Sequence, residues 1–473
     1  MNRRAAAWGV FGLLLASYAY FLPQPGNYNV NSRVALTRAL VEQGTFSIDA
    51  YHRRPDMETH DESVFAGRTY SDKAPGASLL GAVVYAPVYW LSGFLHREMT
   101  NAAVTWLVGV GAVGVPVAAA LAVLFAFADS RAGRKRALLV TLAIGLGTPL
   151  FPLSTVFMGH ALGAALLWLA FVVIATSDEE FRAIAYGLAG FLLGFCLITE
   201  FQSALLVAPL GLYAVWQVRG KPVLRMAALA AALAAGAAVP IAFYAYYNVA
   251  CFGSPFANAY TYFARDDVRE HIHSGIMGIG RPSVKNVYYL TLHPVRGLFI
   301  QSPVALLALP GLAFLWRMTE RRTEAALATW ALVSVPIVLS GFYDWAGGAS
   351  ATPRALLPLI PLLALPLLAL PREWDGALAV LALISIAQML ALTAYAPFSG
   401  SFLIRLQEEA HPGGWIPWIN GSPVVESVRW LLRGHWRDTL GGRLLPLSGA
   451  KALLLWAAAM AAGSYWIGRS EER

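Results

Sequence analysis

The stretch from Ala102 to Ala128 reads AAVTWLVGVGAVGVPVAAALAVLFAFA and holds no charged residue. It outlasts the roughly 20 apolar residues that an α-helix needs to cross bilayer hydrocarbon, and so it decides the fold class before any motif is considered. Comparable windows lie at 5–22, 77–95, 137–156, 159–176, 182–198, 203–217, 222–248, 297–316, 325–341, 353–370, 374–395 and 449–468. With no water to bond to, backbone amides and carbonyls in such runs must pair within their own segment, which a helix does. The expectation is an all-α polytopic membrane protein of about 12–13 hydrophobic helices, forming one integral-membrane domain over 1–473. The count turns on 77–95, which is short and contains Gly81, Pro87 and Gly93. It is read either as a full span or as a re-entrant or interfacial helix.

Composition points the same way. Of 473 residues, 58% are hydrophobic and 13% charged, against about 25% charged in a typical soluble domain, and the mean hydropathy is +0.56. Soluble enzymes and secreted disulfide scaffolds are excluded on this balance, the latter also because only Cys196 and Cys251 are present. The net charge of +8 does not mark a nucleic-acid binder. Its basic residues fall in short clusters beside apolar runs, as in Arg131-Arg134-Lys135-Arg136 and Arg219-Lys221-Arg225, which is how positive-inside orientation signals are placed. Membrane lipids, not nucleic acid, are the implied surroundings.

The opening Met1-Asn2-Arg3-Arg4 and the apolar run to Leu22 fit a signal peptide or a first helix, and the many later spans favour the helix. Arg3 and Arg4 place the amino terminus in the cytoplasm. Counting spans then puts the three polar stretches, 23–76, 249–296 and 397–448, on the extracytoplasmic face. No internal repeat is visible, which argues against an inverted-repeat transporter.

Chemistry is sought in those stretches. The first holds the densest set of ionisable groups, among them Arg33, Asp49, Asp61, Asp72 and Lys73, and closes on Tyr70-Ser71-Asp72-Lys73-Ala74-Pro75-Gly76. The bland reading is a solvated loop. Against it, the Pro-Gly turn fixes a cation and a carboxylate at the membrane surface. A second signal is Gly341 to Arg354, with Asp344, Trp345, two adjacent glycines and an arginine that can clamp a phosphate bidentately; an interfacial Trp beside a snorkelling Arg is the plainer account. The third, Tyr288 to Pro303, offers His293 and Arg296 for an anionic headgroup, or as ordinary interfacial residues. Inside the apolar windows, Glu200 and His160 stand out as costly to bury. The prolines at 353, 358, 361, 366 and 371 predict a kinked helix.

These segments together resemble the C-type (GT-C) glycosyltransferase superfamily, integral-membrane enzymes that use a polyprenyl-phosphate sugar as donor. The likeness is to bacterial members akin to protein mannosyltransferases and lipid A aminoarabinose transferases. It rests on Asn31 to Leu40, Gly44 to Asp49, Tyr70 to Gly76, Phe252 to Pro255, Arg296 to Phe299 and Trp345 to Arg354, and so spans most of the chain.

The resemblance implies a glycosyltransferase of the bacterial inner (plasma) membrane whose extracytoplasmic site moves a sugar to a lipid, glycan or protein acceptor. A single inverting displacement needs a carboxylate base for the acceptor hydroxyl and cations for the departing phosphate. No cofactor is required, since the leaving group is already activated; a divalent metal is not excluded by sequence. Family members carry an Asp-Glu couple just ahead of an Arg after the first helix, and here that place reads Asn31-Ser32-Arg33. The base must then be Asp49 or Asp61, with Lys73, Arg296, Arg354 and His293 as donor-phosphate partners. Arg33, Tyr70, Asp72, Asp344 and Trp345 line the substrate pocket in this reading. Two competing readings stay open: a lipid or polysaccharide transporter, and a non-catalytic membrane subunit descended from such enzymes.

Overall fold

The computed structural model describes residues 2–273, 275–398 and 422–469. Much of the third polar stretch, including Asn420 of the Asn420-Gly421-Ser422 glycosylation sequon, lies outside them. Each of the thirteen apolar windows is helical. Among the described residues, Gly76–Phe94, Asn101–Ala132, Val223–Phe252, Thr319–Leu339, Arg372–Tyr395 and Ala450–Arg469 are long and apolar enough to cross a membrane, and four shorter apolar helices accompany them. The chain is a polytopic helical membrane protein. The 77–95 window is one 19-residue helix, Gly76–Phe94, continuous through Pro87.

Several windows depart from a simple helix, two of them through proline or glycine. The 137–156 window breaks after Leu146, where Gly147 lies so close to the Ala143 carbonyl and Ser385 that a side chain would not fit, and Pro149 cannot donate. The proline-rich window is not a kinked α-helix over its first half but a ten-residue 3-10 stretch, Arg354–Leu363. Pro358 and Pro361 remove two α-type donors three residues apart, and a three-residue repeat accommodates that spacing. Ala355 to Leu370 is buried throughout, so neighbouring helices support the unusual turn.

The chain forms two compact units. One comprises Pro23–Pro116 and Val156–Gly280. Here the first polar stretch is structured. Tyr28–Arg38 is a helix capped by Asn27 that widens into a π-turn, Ala39–Gln43, and stops at Gly44 in the left-handed region at φ 64°. A β-hairpin follows, with β1 (Glu62–Phe65) antiparallel to β2 (Arg68–Ser71) and the turn made at Ala66 and Gly67, φ 50° and 76°. The Tyr28–Arg38 helix packs on Gly76–Phe94, where Gly81 admits Thr37 and Phe157. Arg182–Leu197 and Val223–Phe252 meet backbone to backbone: a Cβ on Gly190 or Gly236 would collide with the carbonyl of Leu233 or Gly187. Gly190 and Gly194 form a GxxxG pair, the spacing that lets membrane helices approach closely without a hydrophobic driving force. Val83, Trp90 and Phe94 on the 76–94 helix, and Val239 on the 223–252 helix, remain exposed as a lipid-facing surface does.

The other unit comprises Met1–Leu22, Val117–Thr155 and Arg281–Arg473. Arg3–Tyr20 packs on Ala450–Arg469, and Asp375–Tyr395 on Arg134–Leu146. Among the described residues Arg437 is buried with no carboxylate paired to it. Its guanidinium donates to the carbonyls of Leu22, Thr155 and Thr393 and to Thr155 Oγ1, satisfying chain ends that would otherwise lack donors.

Candidate active site

In the first unit the hairpin register builds the densest polar cluster. Glu62 pairs with Ser71, so the next residues outward, Asp61 and Asp72, face each other at the open end of the hairpin. Two carboxylates opposite one another repel. Lys73 resolves the conflict: its Nζ lies 2.9 Å from Asp61 Oδ2 and 2.7 Å from Asp72 Oδ2. Asp72 is fully buried, whereas the Asp61 side chain is 23% exposed and within reach of an incoming molecule. Asp72 Oδ1 is buried and accepts no hydrogen bond among the described residues. Burial raises the Asp72 carboxyl, and the neighbouring charge of Asp61 adds to this, against the pull of Lys73 and Arg33. Burial works against the Lys73 ammonium, but Asp61 and Asp72 more than offset it and hold the proton on.

Asn31 and Ser32 lie next to this cluster. Asn31 donates to the Glu58 carbonyl at 2.9 Å, and Ser32 Oγ meets Ser71 Oγ at 2.7 Å, one residue ahead of Asp72. The Tyr28–Arg38 helix therefore touches the last residue of β2, the chain neighbour of Asp72. Arg33 donates to the Ala74 carbonyl at 2.9 Å, tying the same helix to the turn that follows Lys73. Tyr70 is buried edge-on to Phe252, with ring centroids 5.3 Å apart.

Asp49 is differently engaged. Ser47 Oγ donates to one of its oxygens at 2.5 Å and the Thr69 amide to the other at 2.8 Å. Partial burial opposes the charge, yet these two donors hold Asp49 below the usual aspartate range. It fastens the 45–49 turn to the hairpin. Glu200 and His160 come together in this unit, Oε2 to Nδ1 at 3.2 Å.

In the second unit the 344–354 loop folds around Arg354. Asp344 accepts from the Gly348 amide at 2.7 Å and from Arg354 Nη2 at 3.2 Å. Gly347 and Gly348 sit at φ 73° and 53°, and a Cβ on Gly347 would press on the Arg354 side chain. Arg296 is fully buried and donates to the carbonyls of Ala346, Val295 and Gly348. Burial lowers its pKa, with Asp344 opposing. His293 Nδ1 accepts from the Val295 amide at 3.2 Å, and its ring meets Tyr289 edge-on. Tyr289 in turn stacks on Trp345 at 5.3 Å.

Sequence reasoning missed two carboxylate hubs in the first unit, Glu42 half-buried and Glu62 buried. Glu42 accepts from Arg38 Nε, Tyr85 and Tyr51 at 2.6, 2.8 and 3.1 Å. Glu62 meets His52 Nδ1 and Arg53 Nη2, both at 2.7 Å. Arg38 and Glu42 are four apart on a continuous helical turn, a spacing that pairs opposite charges and was the readable signal. Among the described residues no group of three or more His, Cys, Asp or Glu side chains is arranged to hold a metal ion.

No family model and no curated protein matches the sequence. Solved structures do. The crystal structure of ArnT from Cupriavidus metallidurans bound to undecaprenyl phosphate superposes with a TM-score of 0.52 at 16% identity, covering 98% of this chain and 74% of that one. The apo-state ArnT structure from the same organism gives 0.49 at 15% identity over the same shares. At such identity the likeness speaks to architecture alone, and the chain shares the polytopic helical fold of the undecaprenyl-phosphate-bound ArnT structure.

Proposed function

We propose that this protein is a membrane glycosyltransferase that moves a sugar from a polyprenyl-phosphate donor to an acceptor hydroxyl by single inverting displacement. Two independent lines support the reading. Undecaprenyl phosphate is bound in the ArnT structure whose fold this chain shares, and the hairpin mouth gathers a carboxylate and a half-buried cation of the types that the reaction requires. The second is the observation that carries it.

In this proposal Asp61 is the base. It is the exposed member of the cluster, whereas Asp49 already spends both oxygens on Ser47 and Thr69. The acceptor oxygen bonds to the anomeric carbon as its proton passes to Asp61; the bond from that carbon to the phosphate oxygen breaks, and the polyprenyl phosphate leaves with the electron pair. Lys73 stabilises the charge that gathers on it. Asp72 is a positioning residue: it holds the ammonium in place and charged. As Lys73 turns toward the phosphate, its hold on Asp61 loosens and the carboxylate becomes free to accept the proton. Arg354 is assigned to phosphate recognition, and Arg296 to shaping the loop that holds Arg354.

The test is release of free polyprenyl phosphate by the purified full chain given labelled polyprenyl-phosphate sugars and a mixed lipid and glycan acceptor pool. Turnover by the wild type, lost in Asp61→Asn, is the expected result. A wild-type preparation that binds and transports these lipids without cleaving them would return the transporter reading to first place.

A further inference from the structure

One cavity of the second unit has no part in the proposed reaction. It holds about 770 Å³ between the end of the Pro423–Leu432 helix, the 434–449 connection and the start of the Ala450–Arg469 helix. That is the size of a small-molecule site, roughly 300–1,000 Å³. Its floor is the 437–439 segment, which is tied down from several sides. The Arg437 amide donates to the Ala394 carbonyl at 2.8 Å, the Leu22 amide donates to the Asp438 carbonyl at 2.9 Å, and Thr439 forms an antiparallel bridge with Phe21. With the Arg437 guanidinium bonded to Leu22 and Thr155, this backbone is fixed before any ligand arrives.

The lining divides evenly between two chemistries. Half-buried Trp436 stands with Leu431 and Leu453 on the apolar side. Its place is set by Gly449 at φ 53°, where a Cβ would press on the indole at 3.0–3.2 Å. On the polar side, Asp438 and Arg443 pair loosely at 3.5 Å and are 73% and 68% exposed, and Ser448 adds a hydroxyl. A pair so exposed keeps most of its hydrogen-bonding capacity for a third partner: a carboxylate offers about four acceptor sites and a guanidinium five donors. The charges at the rim match, and the Arg437 donors are spent on carbonyls and Thr155 Oγ1. Such a lining suits a neutral polyhydroxyl compound better than a phosphate, which an unmatched fork would favour.

We propose that this cavity binds a neutral saccharide, with the C–H face of a sugar ring against Trp436 and the leucines and its hydroxyls on Asp438, Arg443 and Ser448. A sugar ring has an apolar face and a rim of donors and acceptors, the division that this lining repeats. Tryptophan suits the apolar side because it offers a large rigid surface with one N–H donor. For the proposed transferase the inference names a glycan as acceptor, and to that extent it rests on that reading; saccharide binding itself does not.

Isothermal titration of the full chain in phosphatidylcholine nanodiscs, without glycosidic detergent, tests this with maltotriose, mannotriose, chitotriose and inorganic phosphate. At least one saccharide is expected to bind, and phosphate should not compete. Trp436→Ala should weaken binding at least about tenfold and Asp438→Asn about tenfold, while Trp466→Ala, at an exposed position on the same unit, should leave it unchanged. Should Trp436→Ala fail to fold, Ser448→Trp adds bulk at an exposed lining position and should abolish binding with Tm unchanged. Asp61→Asn should bind as the wild type does. Saccharide binding without polyprenyl-phosphate release would defeat the transferase reading and leave this site standing. No binding of any of the three saccharides, competition by phosphate, or binding kept in Trp436→Ala and lost in Asp61→Asn would overturn the site.

Discussion

Two cations of this protein, Lys73 half-buried and Arg296 fully buried, look alike in sequence and differ in what surrounds them. Lys73 sits between two carboxylates, one fully buried and one part-exposed. Arg296 is enclosed by carbonyls of the loop it supports. The first arrangement keeps charge available, with a part-exposed carboxylate beside it and Asp72 Oδ1 left without a donor. The second consumes its donors on backbone, which fixes a loop. A part-exposed cation paired with acids is poised for exchange with another anion; a buried one bonded to carbonyls is a structural tie.

The largest expected effects divide along that line. Lys73→Met and Asp61→Asn should each lower kcat for polyprenyl-phosphate release by roughly 100- to 10,000-fold, the range for a lost general base or charge stabiliser, with little change in Tm for Asp61→Asn. Arg296→Ala should act through stability first. It leaves three carbonyls without their donor, worth about 3 kcal/mol at order-of-magnitude level, and would be read as a lower Tm in detergent. Were Arg296→Ala to fold as well as the wild type and fail only in turnover, the contrast between the two cations would collapse. Arg354→Ala lies between them: a raised KM for donor with a small change in Tm, because its partner Asp344 is part-exposed.

Helix packing offers a smaller test. Gly190→Ala forces a Cβ into the Leu233 carbonyl and should destabilise by about 1–3 kcal/mol. Gly211→Ala, where nothing lies within 4 Å, should be neutral or slightly stabilising.

The pH responses of Asp72 and Asp49 should be opposite in sign. Asp72 is raised by burial, so the folded protein gains stability as pH falls through its raised pKa, while Lys73 loses one of the two acids that position it. Turnover should therefore decline on acidification before the ordinary aspartate range is reached, and this early decline should be absent from whatever activity remains in Asp72→Asn. Asp49 is lowered, so its contribution to stability is complete above the ordinary aspartate pKa and is lost as pH falls through the lower folded value. Asp49→Asn should remove that acid-side loss, the smallest of these effects, read as the pH dependence of Tm.

The helices were legible because a bilayer leaves so few alternatives: a long uncharged run has to satisfy its own backbone, and all thirteen apolar windows did so as helices. The 3-10 stretch was not, since Pro358 and Pro361 announce a disturbed helix without saying which repeat replaces it. In the first polar stretch, Asp72 and Lys73 are chain neighbours and could be read together. Asp61 could not be joined to them without the hairpin, and the charges crowding 49–73 hid the two short strands. Arg296 looked like a phosphate ligand in sequence because nothing in a string of residues reveals that carbonyls from 346 and 348 will reach it first.

The proposal stands on Asp61 as the base, and the most direct measurement compares initial rates of polyprenyl-phosphate release from labelled donor by Asp61→Asn and Asp49→Asn. The account predicts near-complete loss in the first and a rate within a few-fold of wild type in the second. Wild-type turnover in Asp61→Asn, with the loss falling on Asp49→Asn, would contradict it.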